Sequence, residues 1–302
     1  MPNIVIIGAS VAGSTSALKL REKIPDASIT LLTQEAYPCY DRRRLPELLA
    51  GTIKENELFL ASEELYARNN ITFLKEKKVS SLNPSRRTIY FKEKGTLEYD
   101  FLLIASGRRF TLPEIPGAKR KGVFTLEGLE DYKKFIEHIR IIRSPVCIAG
   151  SNAWAFTIGK VIASNYKLEV KLLSANPPGE GELSEGFEVI NSPITEIIGE
   201  GEVQAVKLKE GKAIGVSSVV FLDEQKSNVD FLKNTELKME QECIATDEAM
   251  RTSIENIFAC GTVARRKGQV EPSKNWDEVI IEAENFAENF AKQMKGETCQ
   301  TY

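Results

Sequence analysis

The chain holds 302 residues, with 40 Lys and Arg against 43 Asp and Glu and a formal net charge of -3. That length suggests two domains, and the near-balance of charge gives no electrostatic reason to expect nucleic acid or an anionic membrane as partner. No window approaches the roughly 20 apolar residues of a membrane span, and nothing at the N-terminus reads as a signal peptide, so the default expectation is a cytoplasmic protein.

The first element is a strand, Asn3 to Ile7, running into Gly8-Ala9-Ser10-Val11-Ala12-Gly13. A helical pattern follows to about Ile24, Pro25 and Asp26 end it, and Ser28 to Thr33 is the next strand. This strand–turn–helix–strand order is the setting that a dinucleotide fingerprint requires. Gly8 permits the tight turn out of the strand, and Gly13 lets helix pack closely on sheet. Ser10 stands where the usual glycine lets backbone approach a pyrophosphate and is small enough to keep that approach, while N–H groups at the helix start face the phosphates. Glu35, 22 residues after Gly13, is placed to accept hydrogen bonds from an adenosine ribose.

Tyr37 to Asn70 reads as a loop and helix region rich in charge and aromatics. Short strands are expected at Ile71–Leu74, Ser80–Leu82, Thr88–Phe91 and Thr96–Tyr99, then an apolar strand, Phe101 to Ile104, ending in Ala105-Ser106-Gly107. Leu112 to Gly117, with two prolines and a glycine, reads as a linker. A helix around Leu129 to Ile139 leads to the strand Val146 to Ala149 and the turn Gly150-Ser151-Asn152-Ala153-Trp154-Ala155. Another helix and the strand Leu168 to Leu173 complete a second β-α-β pattern. After a loop at Asn176 to Glu182, strands are expected at Phe187–Ile190, Ile194–Ile198, Val203–Leu208 and Val216–Leu222. The apolar strand Asn256 to Cys260 ends in Gly261, and a long amphipathic helix spans roughly Trp276 to Met294.

The five cysteines, Cys39, Cys147, Cys243, Cys260 and Cys299, include no pair separated by two residues, so no thioredoxin-like redox motif is present. His138, the one histidine, cannot supply a multi-histidine metal site and reads as a helix-surface residue.

Taken in this order, the segments resemble the FAD/NAD(P)H-dependent pyridine nucleotide–disulfide oxidoreductase superfamily, from residue 2 to about 295. The stretch from Glu35 through Pro38, Tyr40, Arg42 and Leu45 is similar to a motif of its rubredoxin-reductase, ferredoxin-reductase and nitrite-reductase branch, with Arg43 in place of a proline. Ala105-Ser106-Gly107 resembles the family's Ala-Thr-Gly turn. Thr246-Asp247, then Met250-Arg251-Thr252-Ser253 and Ile257 to Thr262, look like its C-terminal signature, with Thr262 where relatives carry the aspartate that binds the flavin's ribityl chain. The resemblance implies an α/β fold of two Rossmann-like FAD/NAD(P)-binding domains, the second inserted in the first: 1–109 and 245–302 for FAD, 110–244 for a reduced NAD(P)-binding-like domain. It places Tyr40 and Arg42 beside the flavin and makes Arg42, Arg44 and Glu47 candidate tuning groups. Glu47 stands where ferredoxin-reductase-like relatives carry a lysine. The other reading of Arg42 to Arg44 is a solvated loop with salt bridges.

Three departures weaken the second nucleotide site. Gly150, Asn152 and Ala155 stand for the three glycine-type positions there, and Asn152 puts a side chain where backbone should meet pyrophosphate. Ser174 replaces the acid or base that reads the ribose, and Asp223 and Glu224 add negative charge where relatives have a Gly-x-x-Pro turn. Trp154 and Asn152 could instead form an unusual cradle, with Lys171 or Lys226 supplying positive charge.

Three functions stay open: electron transfer from NADH or NADPH through FAD to a small redox protein or other acceptor without a redox disulfide; an FAD subunit reduced by a protein partner; and a non-enzymatic dinucleotide-binding protein. The family's C-terminal interface domain is not expected, so a homodimer or hetero-complex is, with a small iron–sulfur protein, a quinone-like acceptor or a second subunit as candidate partner.

Overall fold

The structure is a computed structural model and describes residues 1–174, 187–268 and 274–296. The loop expected at Asn176–Glu182, Ala175 and Cys299 lie outside the described residues. Two compact units are present: Met1–Asp41, Phe59–Arg108 and Ser227–Tyr302 form one, and Arg42–Leu58 with Arg109–Lys226 form the other.

The first unit is built on a five-stranded parallel sheet in the order Ile257–Ala259, Phe101–Ile104, Asn3–Ile7, Ser28–Leu32, Ile71–Leu74. Its strands are mainly apolar, as burial of both faces requires. Ile4 and Ile6 point to the side where the helices Val11–Lys23 and Trp276–Met294 pack, through Ala17, Leu20, Phe286, Ala287 and Phe290. Val5 and Ile7 point to the other side, where Leu82 and Ile89 of a three-stranded antiparallel sheet close the core. The alternation along one strand thus assigns each residue to a layer.

The second unit carries its own five-stranded parallel sheet, ordered Phe187–Ile190, Val170–Leu173, Val146–Ala149, Ser218–Phe221, Val123–Phe124. A three-stranded antiparallel sheet (Ile194–Ile198, Ala205–Leu208, Ala213–Gly215) shares a core with it through Ile197, Val206, Cys147 and Val219. The expected α/β class with parallel sheets is therefore present in both units.

Residues 42–58 belong with the second unit rather than with the loop that leads into them. Their helix, Leu45–Ala50, is held there at its C-terminal end, where unsatisfied carbonyls need donors. Tyr166 Oη donates to the Leu49 carbonyl at 2.7 Å and Asn165 Nδ2 to the Ala50 carbonyl at 2.9 Å. His138 also differs from its expected surface position. It is half-buried, with its ring 5.0 Å from that of Phe124, and burial lowers its pKa.

Candidate functional site

In the first unit three segments meet at the C-terminal ends of adjacent parallel strands, where ligands of open α/β sheets bind. Gly8 leaves its strand with φ +108°, a conformation L side chains rarely adopt, and a Cβ on it would lie 2.3 Å from the Ala105 carbonyl oxygen. Gly13 is required sterically: a Cβ there would lie 1.8 Å from the Gly8 carbonyl oxygen, so only glycine lets the helix sit against the turn. The helix starts at Val11 with Ser10 at its N-cap. The Ser10 side chain makes no capping hydrogen bond, and the first turn holds no acid. The N-terminal N–H groups and the helix dipole are thus left without an internal anion, which suits a pyrophosphate.

Ala105-Ser106-Gly107 lies on the neighbouring strand and is fixed by Asn228, a residue the sequence did not single out. Ser106 Oγ donates to the Asn228 carbonyl at 2.8 Å, Asn228 Nδ2 donates to the Ser106 carbonyl at 2.9 Å, and the Asn228 N–H donates to the Gly107 carbonyl at 2.9 Å. Gly261 (φ +76°) opens a single 3-10 turn, Gly261–Val263, on the next strand over. A Cβ on Gly261 would stand 3.0 Å from Ala12 Cβ, and one on Gly107 would stand 3.6 Å from Thr262 Oγ1. Gly8, Ser10, Gly13, Ala105, Ser106, Gly107, Gly261 and Thr262 therefore surround one locus.

Glu35 lies past the adjacent strand, and its carboxylate accepts a hydrogen bond from Tyr40 Oη at 2.6 Å. The acid and the aromatic residue are thereby joined, and the Tyr40 ring packs edge-on to Phe59, with centroids 6.4 Å apart. These residues fit FAD: an uncapped helix start that would take the phosphates, an acid that would accept from the ribose, and a hydroxyl at Thr262.

Arg42, Arg44 and Glu47 fall in the second unit. Arg42 donates to the Glu127 carbonyl at 2.9 Å and lies 3.5 Å from its carboxylate. Arg44 makes a forked contact with Glu47, at 3.2 Å from Nε and 2.9 Å from Nη2, and also donates to the Glu57 carbonyl. These are the ion pairs of the salt-bridged-loop reading.

The second unit's turn keeps one glycine, Gly150, and caps its own helix start. Gly150 is needed for packing, since a Cβ on it would lie 2.8 Å from that of Ala155. Asn152 is the N-cap of the helix Ala153–Tyr166: its Oδ1 accepts the Ala155 N–H at 2.9 Å, and its Nδ2 donates to the Leu222 carbonyl. Asp223 Oδ1 accepts the Ser151 N–H at 3.4 Å. Ser174 is buried and donates to Ser151 Oγ at 3.1 Å. Lys171 is engaged by Glu169 and Glu188, and Lys226 lies 3.4 Å from Glu224, so the cations of the alternative cradle have local acids as partners. An incoming pyrophosphate would meet the Asn152 cap on the Ala155 N–H and the Asp223 carboxylate on the Ser151 N–H.

The sequence also matches the family described as Pyridine nucleotide-disulphide oxidoreductase, over residues 2–178 and 183–280. The chain belongs to this family. The family uses FAD, with NADH or NADPH as substrate. Over 282 residues the chain is 28% identical to an NADH oxidase of Methanocaldococcus jannaschii, covering 85% of this chain and 62% of that one. With the NADH-rubredoxin oxidoreductase of Clostridium acetobutylicum it shares 26% identity, covering 88% and 69%. Among solved structures, a covalent putidaredoxin reductase–putidaredoxin complex superposes with a TM-score of 0.86 at 20% identity, covering all of this chain and 77% of that one. An NAD-dependent persulfide reductase from A. fulgidus gives 0.87 at 25%, covering 96% and 59%. The chain spans under two thirds of the length of the M. jannaschii relative.

Buried thiols complete the picture. No disulfide joins the described cysteines, and all four are buried. Burial pushes the Cys147 and Cys260 thiols up to about 12, which keeps them protonated and unreactive. No described helix is long and apolar enough to cross a membrane.

Proposed function

We propose that this protein is an FAD-dependent oxidoreductase that passes electrons from NADH or NADPH to a small redox protein without a redox-active disulfide. The observation that carries the reading is the convergence of Gly8, the helix start at Val11, Ala105–Gly107 and Gly261–Thr262 at the C-terminal ends of three adjacent parallel strands. The flavin supplies the electron-storing chemistry, and the chain supplies position and electrostatics. The helix start neutralises the phosphates, Glu35 orients the ribose, and Thr262 offers a hydroxyl in place of a charge. The names NADH oxidase and NADH-rubredoxin oxidoreductase, and the putidaredoxin complex, support a nicotinamide donor and a small iron–sulfur acceptor. Homodimerisation or a hetero-complex accompanies this role.

Asn152 and Asp223 favour a second reading, in which the flavin is reduced by a protein partner and nicotinamide dinucleotides enter weakly. Anaerobic stopped-flow mixing of the FAD-loaded protein with NADH or NADPH separates the two. Saturable flavin bleaching within a second at micromolar nucleotide supports the first. Slow, unsaturated bleaching, with fast reduction by a reduced ferredoxin, supports the second. A protein that takes up FAD but exchanges electrons with neither is outside both.

A further inference from the structure

Beneath the Gly261–Val263 turn lies an ion pair that the reading above does not use. The side chains of Lys274 and Glu282 are each 4% exposed, and they meet at 2.7 Å and 2.8 Å through both carboxylate oxygens. Lys274 Nζ also lies 3.1 Å from each of the Gly261 and Ala264 carbonyl oxygens, so it bridges the two ends of the turn. Glu282 Oε2 accepts the Gly261 N–H at 2.7 Å. One buried pair therefore ties the first residue of the turn by both its N–H and its carbonyl, and ties the residue after the turn by its carbonyl.

The geometry points to Lys274 and Glu282 as a positioning pair that sets flavin affinity and potential, by clamping the turn that presents Thr262 to the cofactor. This rests on the FAD assignment to the first unit. The physical case has two parts. Gly261 sits in a left-handed conformation against Ala12 of the phosphate-facing helix start, so a shift of the turn moves Thr262 relative to that helix. With threonine at 262 the turn carries no charge of its own. The two buried charges bond directly to its backbone, and in a low-dielectric site each acts strongly when its partner is removed. A lysine cation left alone favours the electron-rich form of the cofactor, and a carboxylate left alone disfavours it.

The test compares wild type with Glu282→Gln, Lys274→Met and the double variant, each as the full chain. The readouts are FAD dissociation constant, from fluorescence titration of the apo-protein, and flavin midpoint potential. Glu282→Gln keeps an oxygen for the Gly261 N–H and protects the test against loss of fold in Lys274→Met. The expected result is FAD affinity weakened about tenfold or more in Lys274→Met and the double variant. The potential should rise in Glu282→Gln, fall in Lys274→Met, and return towards wild type in the double variant. Affinities and potentials indistinguishable from wild type, or single variants that shift the potential in the same direction, overturn the proposal while leaving the FAD assignment intact. A wild-type chain that takes up no FAD overturns both.

Discussion

Asn152 caps the helix that it begins: its side-chain oxygen accepts the Ala155 N–H at 2.9 Å, a donor that the first unit leaves without a side-chain cap. The two turns follow equivalent strands and differ in their caps. The Ser10 hydroxyl caps none of the N–H groups at its helix start. At Asn152 the protein caps one of them itself.

The first prediction follows from that contrast. Asn152→Gly with Asp223→Ala frees the Ala155 and Ser151 N–H groups and removes a negative charge. A hydrogen bond to a charged group is worth about 1.5–3 kcal/mol, so recovery of one such bond tightens NADH binding by roughly ten- to a hundredfold, at about 1.4 kcal/mol per tenfold. Isothermal titration of wild type and variant checks this, and equal affinities count against it. Asn152→Ala alone should cost about 1 kcal/mol of stability as a lost N-cap.

Gly13 tests the first unit. A methyl group there has to displace the Gly8 backbone from 1.8 Å, an overpacking that costs roughly 1–3 kcal/mol. Gly13→Ala should lower the melting temperature and reduce the FAD retained on gel filtration. Full FAD occupancy in a Gly13→Ala protein contradicts the assignment.

Removing Lys274 leaves the Glu282 carboxylate buried near Cys260 without its cation. Breaking a buried pair from one side costs about 3–5 kcal/mol, whereas replacing both partners is often neutral. Urea denaturation should therefore show Lys274→Met strongly destabilised and Lys274→Met with Glu282→Gln close to wild type. Equal losses in both would mean that the clamp on the turn, rather than the charge balance, governs stability.

Alkaline pH provides a separate check. Burial raises Cys147 and Cys260 from the ordinary 9.0, and Tyr66 and Tyr99 from 10.0, to about 12. Each group is neutral in the fold, so its contribution is complete below the ordinary value and is lost as pH rises towards 12. The urea midpoint should fall between pH 8 and pH 11. The same burial predicts that Cys147 and Cys260 resist alkylation in the native protein at pH 8, and that Cys39→Ser keeps flavin and turnover. Complete loss of turnover in that variant would reopen a thiol mechanism.

Asn3–Ile7, Phe101–Ile104, Val146–Ala149 and Ile257–Ala259 were legible because they are apolar runs that lead into a glycine turn, whereas the two-residue strand Val123–Phe124 is too short to leave a pattern. The strand Asn3–Ile7 and the helix Trp276–Met294 lie where the pattern placed them. Glu282 was missed although it left a trace, an acid on the apolar stripe of Val279, Ala283 and Phe286. Its partner Lys274 carries no pattern, because it stands outside the helix, two residues before Trp276. Asn228 acts through long-range hydrogen bonds with Ser106 and Gly107, which spacing along the chain does not encode, and Asp223 was legible as a charge at the second turn but not as the acceptor of the Ser151 N–H. Arg42–Arg44 read equally well as flavin neighbours and as a salt-bridged loop, since three consecutive cations define no partner by themselves.

The FAD content of the purified, reconstituted chain tests the central claim most directly. Absorbance at the flavin bands, with the cofactor released by heat and identified by mass, should give one noncovalent FAD per chain. A ratio near zero, or release of a different nucleotide, would contradict the account.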